Sequence, residues 1–143
     1  MIIGFEINKI NVERKNDITG NVRVKHNLNI NSVKEEELAA LKEKKKGVDF
    51  RFTFSIDYEP GIGNILIGGS LMYTDNDKKI KEVTESWKKN KKIPHDVSVE
   101  VLNAILARCN IRALELAEDA NLPSHIPLPR VNLEKSKFSN YIG

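Results

Sequence analysis

Val48-Asp49-Phe50-Arg51-Phe52-Thr53-Phe54-Ser55-Ile56-Asp57-Tyr58 alternates apolar and polar residues without a break. Successive side chains of a strand point to opposite faces, so this run reads as a strand with one dry and one wet side. A slip of one residue would invert every side chain, which fixes its register. Eleven residues at ~3.3 Å each extend about 36 Å, well beyond an average strand.

Working downstream, Glu59-Pro60-Gly61-Ile62-Gly63-Asn64 has hairpin chemistry, and the chain returns through Ile65, Ile67, Gly69, Leu71 and Tyr73. The opposite side of that returning strand carries Leu66, Gly68, Ser70 and Met72. Being apolar or small on both sides, it calls for cover on both, and Leu66, Gly68 and Met72 are the expected subunit contact. Upstream, Val22, Val24, Leu28 and Ile30 alternate with Arg23, Lys25, Asn27 and Asn29, with His26 on the apolar side as a hydrogen-bonded core or edge residue. Nearest the start, Ile3, Phe5 and Ile7 share a face, and the phase then moves to Ile10 and Val12, predicting a bulge or bend near Lys9.

Between the second and third strands, Ser32 followed by Glu35 has the capping-box spacing. It predicts a short helix bearing Leu38 and Leu41, closed by Gly47. After Tyr73 the period becomes helical, at Ile80, Val83 and Trp87 and then, beyond Pro94, with Asp96 as a cap, at Val101, Leu102, Ile105, Leu106, Leu114 and Leu116. Strands first and helices last predicts an α+β fold, a four-stranded antiparallel sheet with the C-terminal helices packed on one face.

The 143 residues suit one domain spanning 1–143, and 40% hydrophobic with 30% charged residues describes a globular rather than a disordered chain. No apolar run reaches the ~20 residues of a membrane span, and Met1-Ile2-Ile3-Gly4-Phe5 lacks signal-peptide character, so the expected location is cytoplasmic. Cys109, the sole cysteine, excludes an intrachain disulfide or a cysteine-based zinc site and reads as a packed thiol.

Catalytic patterns do not emerge. There is no nucleophile elbow, and His26, His95 and His125 lack metal-ligand spacing. Gly61, Gly63, Gly68 and Gly69 belong to a strand-turn-strand rather than a phosphate loop, and Asp49 and Asp57 read as solvated charges. No enzyme activity, cofactor or metal is expected. Net charge is +3, and the segment Asp75–His95, with seven lysines against four acids, equals all of it. That basic helix, residues 78–92 with Trp87 among its lysines, has two readings: an apolar stripe of Ile80, Val83 and Trp87 with solubilising lysines outside, or a nucleic-acid-binding surface.

The end of the chain, Leu122-Pro123-Ser124-His125-Ile126-Pro127-Leu128-Pro129-Arg130-Val131-Asn132-Leu133, can be neither helix interior nor central strand. It reads as a stiff extended arm displaying Ile126, Leu128, Val131 and Leu133, which require an apolar partner surface. Together with Trp87, Ile93, Phe138, Tyr141 and Ile142 it gives more apolar side chains than one small subunit readily hides, a pattern that points to association with other polypeptide.

These motifs resemble the SecB family of preprotein-export chaperones. The likeness rests on Leu122-Pro123, Leu128-Pro129, Val131-Asn132-Leu133 and Phe138 with Asn140-Tyr141-Ile142, and in matching order on Phe5 to Ile10, Val22 to Ile30, Phe50 to Ile56 and Gly68-Gly69 ahead of Leu71 to Tyr73. The resemblance implies a homotetramer, a dimer of dimers with the helices in the middle, acting as an ATP-independent holdase. Its grooves would hold unfolded client polypeptides for protein export. Tyr73, Trp87, Ile93, Ile126, Leu128 and Phe138 are the residues expected to bind client. The family's acidic sheet face, which docks an export ATPase, is replaced here by mixed charge at Arg23, Lys25, Asp49, Arg51 and Asp57. The resemblance therefore carries client holding further than it carries hand-over.

Overall fold

The computed structural model describes residues 1–38 and 45–131. Four strands, β1 (Ile2–Arg14), β2 (Arg23–Leu38), β3 (Lys45–Glu59) and β4 (Gly63–Thr74), precede two helices, α1 (Asp77–Asn90) and α2 (His95–Asp119). The strands form one antiparallel sheet in the order β1-β4-β3-β2. The β3–β4 hairpin is thus central and the two first strands are the edges.

The alternation of β3 plays out as expected. Val48, Phe50, Phe52, Phe54, Ile56 and Tyr58 are all buried in one row facing the helices, beside Ile65, Ile67, Leu71 and Tyr73 of β4. Gly69 sits opposite Phe52 in this row, where an added Cβ would fall on the Glu6 carbonyl oxygen and within 2.9 Å of Phe52 Cζ. The bare backbone lets Phe52 cross β4 and stack on Phe5 of β1, with ring centroids 5.4 Å apart. The expected irregularity in β1 lies between Ile7 and Lys9. A second one, between Ile2 and Gly4, shifts the phase earlier, so Ile2 packs on the core while Ile3, read as a core-face residue, is 45% exposed.

The helix expected from Ser32 does not form. Ser32–Leu38 continues β2, pairing with Lys45–Arg51 after a bulge between Ile30 and Ser32, and Val33 is buried opposite Phe50. A capping box is a local signal that needs a helical apolar repeat behind it, and a long ladder against β3 outweighs two leucines. Leu41 lies outside the described residues. Asp49, expected to be solvated, is buried on the outer face, with its carboxylate 3.4 Å from Arg51 Nε.

Asn76 caps α1 by accepting from the Lys79 amide at 2.8 Å. Helix α2 begins at Pro94 without a side-chain cap, so Asp96 is not the cap but a first-turn residue, placed 2.7 Å from Lys79 Nζ. That contact ties the first turns of the two helices together. Val97, Val101, Ile105, Cys109, Ala113 and Leu116 form the buried stripe of α2 over β4 and β1, while α1 crosses β3 and β2 with Ile80 and Val83 buried. Burial pushes the Cys109 thiol up to about 11, as befits a packed thiol. Among the described residues no helix is long and apolar enough to cross a membrane.

Candidate functional site

Beyond α2 the chain turns at Asn121 and runs extended across the helix-side face of the sheet. Leu122 is buried, and its amide donates to the Ala117 carbonyl at 2.8 Å. The Tyr58 hydroxyl then donates to the Pro123 carbonyl at 2.7 Å; burial pushes the Tyr58 pKa up to about 12. The Pro123 carbonyl is outside any helix or strand ladder, and this phenol is the donor that satisfies it.

Two residues on, His125 is buried at the edge strand. His26 Nε2 on β2 donates to the His125 carbonyl at 2.8 Å, and His125 Nε2 lies 2.8 Å from Asn110 Oδ1 on α2. That oxygen only accepts, so His125 carries its proton on Nε2 and leaves Nδ1 bare, buried and without a partner among the described residues. The two imidazoles are 5.3 Å apart, and Phe54 meets His125 edge-on at 6.4 Å. Desolvation first, and the neighbouring His26 second, hold the His125 pKa below its ordinary value. This junction joins residues 99 apart in the chain, which is why no local spacing revealed it.

Past the junction the arm leaves the body. Ile126 is half-buried, Leu128 is 54% and Val131 is 44% exposed. Helix α1, which packs on β3 and β2, presents Trp87, half-buried, with the Lys91 ammonium 5.2 Å over its ring, and Ile93 packs partly on the core just beyond. The helix-side residues Val24, Leu28 and Ile30 of β2 are only half-covered, and among the described residues its outer edge carries no partner strand. An unpartnered edge flanked by apolar side chains is a template for an extended chain.

Of the expected client-binding residues, Trp87 and Ile93 pack partly on the core, while Ile126 is half-buried and Leu128 exposed in the arm beyond His125. Tyr73 is buried, its ring edge-on to Phe50 and its hydroxyl donating to Asp75 at 2.9 Å, and burial followed by that carboxylate raises its pKa, so it offers no exposed face to a client. Phe138 lies outside the described residues. Leu66 and Met72 are half-buried on the outer sheet face, with Gly68 buried between them. Among the described residues no three metal-ligating side chains come together.

No protein-family model matches the chain, and no characterised protein matches it by sequence. A solved structure does match: the SecB-like chaperone Rv1957 of Mycobacterium tuberculosis, in complex with a ChAD peptide from the Rv1956 HigA1 antitoxin. The TM-score is 0.53 at 7% identity, covering 94% of this chain and 91% of that one. The chain has the SecB-like fold. On this SecB-like scaffold one feature escaped the sequence reading: α2 is apolar on two sides. Its outward side carries Val99, Leu106 and Ile111, all exposed and the last 63% so, interleaved with Asn103 and Asn110 and with the exposed Glu100 beside them. The signal was present in Leu102, Leu106 and Leu114, which read as core because a helical stripe does not say how many faces are buried.

Proposed function

We propose that this protein is an ATP-independent holdase that binds unfolded or extended polypeptides along the open β2 edge, between Trp87 and Ile93 at one end and Ile126 and Leu128 at the other. The observation that carries this reading is the coincidence, among the described residues, of an unpaired strand edge with half-covered apolar side chains and an arm whose Leu128 is 54% exposed. Backbone groups of the edge would pair with any client sequence, and the apolar side chains would supply affinity, giving broad selectivity without bond-making chemistry. The similarity to a chaperone solved with a bound peptide supports it. Phe138 is proposed to complete the surface.

The assembly is proposed to be a homotetramer, a dimer of dimers in the cytoplasm, with a second copy covering the exposed apolar residues Val99, Leu106 and Ile111 of α2 and the Leu66–Met72 face serving a further contact. Delivery of clients for export belongs to the same proposal. The test is light scattering of a denatured client diluted into buffer without nucleotide. Stoichiometric protein should suppress aggregation, Trp87→Ala should weaken the effect with circular dichroism intact, and unchanged scattering would end the holdase reading.

A further inference from the structure

The charges of α1 are segregated along its length. Lys79 pairs with Asp96 and Glu82, and Lys81 with Glu85, so the first half is locally neutralised. Lys88, Lys89, Lys91 and Lys92 are exposed, and among the described residues none of them joins an ion pair. Favourable interaction with the helix dipole accounts for Lys88 and Lys89 in the last turn, but Lys91 and Lys92 follow it. Lys91 adopts φ 56°, a left-handed conformation that suits glycine better, and its amide donates to the Trp87 carbonyl. The turn is further fixed by Ser86 Oγ donating to the Lys92 carbonyl at 2.8 Å. The consequence is an ammonium held over the indole face, with the exposed Lys88, Lys89 and Lys92 following Trp87 closely in the chain.

We propose that this end of the surface docks acidic segments of client polypeptides, so that preferred clients carry carboxylates flanking an apolar or aromatic residue. The inference rests on the holdase reading and adds the class of client. A carboxylate approaching these lysines relieves their mutual repulsion and draws Lys91 away from the ring, opening the Trp87 face to the client's apolar side chain. Exposed ion pairs are individually weak, and three together amount to about tenfold in affinity at low salt. A polyphosphate chain fits less well, because Glu82 and Glu85 interrupt the basic surface one to two turns away and Trp87 is the chain's sole tryptophan for base stacking.

That sole tryptophan also reports the event. The full chain is titrated, following Trp87 emission, with three 15-residue peptides that share one apolar centre and differ in Glu, Gln or Lys flanks, and with a 20-nucleotide single-stranded DNA, each at low and high salt. The Glu-flanked peptide should bind about tenfold tighter than the Gln-flanked one at low salt, with the gap closing at high salt. Replacing Lys88, Lys89, Lys91 and Lys92 by Gln should abolish the gap between the Glu- and Gln-flanked peptides, and a gap that survives the replacement overturns the proposal. Equal affinity for all three peptides, or tighter binding of DNA than of the acidic peptide, overturns the acidic preference alone. If no peptide binds, the holdase reading fails and this inference falls with it.

Discussion

Acidification should loosen the arm, and His125 should be the reason. In the docked arm its Nε2 proton is committed to Asn110 and its bare Nδ1 is buried without an acceptor, facing His26 from β2, Phe54 from β3 and Asn110 from α2. No ion pair among the described residues involves either histidine. Protonating Nδ1 would therefore create a buried N–H with no partner beside a second imidazole. Docking favours the neutral ring, whereas in the released arm the ring titrates at its ordinary value of 6.5. Docking is thus intact above that pH and weakens as the pH falls through it toward the lowered docked-state value. One unit below the released-state value the loss is at most about tenfold, or ~1.4 kcal/mol. For a chain of this length that corresponds to a fall in Tm of about 5 °C. Melts at pH 7.5 and 5.5 should be compared for the native chain and for His125→Phe, which keeps an aromatic ring beside Phe54 but cannot titrate. The variant should lose the part of the acid sensitivity that belongs to this ring, and client affinity should decline with acid in the native chain only. Equal acid sensitivity in both chains, or a His125 ring that titrates at or above 6.5 by NMR, would refute the reasoning.

Two further outcomes follow from the packing. Gly69→Ala places a methyl group against the Glu6 carbonyl and the Phe52 ring. The β1–β4 ladder must spread to admit it, at about 3 kcal/mol and roughly 10 °C in Tm, whereas Gly4→Ala, whose new methyl would only meet Met72 Cβ at 3.5 Å, should melt normally. Ile111→Glu puts a carboxylate in the centre of the outward face of α2. If a second copy covers that face, the solution mass should fall from a multiple of 16.2 kDa toward the single chain, with circular dichroism unchanged; an unaltered mass would remove α2 from the interface.

The sheet was largely legible because its information is local. A period of two over Val48–Tyr58 fixes strand, register and buried face together, and the phase change after Ile7 marks the irregularity at Lys9. The misreadings have a common cause in long-range pairing. Ser32–Leu38 carries a helix-start signal that the ladder to β3 overrides, and Asp49 is buried by neighbours that no single segment reveals. The proposed client surface was half legible: the prolines announced the arm and its exposed Leu128, but not the phenol of Tyr58 or the paired histidines that fasten it. Leu106 was misjudged because residue spacing identifies a stripe and cannot distinguish an inner one from an outer one.

The strand order carries a consequence for how the chain is born. Strand β2 finds its neighbour as soon as β3 follows it, but β1 pairs with β4, which begins about fifty residues after β1 ends. At roughly 5–20 residues per second of synthesis, Phe5 and Ile7 wait several seconds outside the ribosome with no strand to join. Nascent copies of this protein pass through the same unsheltered state as the chains it is proposed to hold.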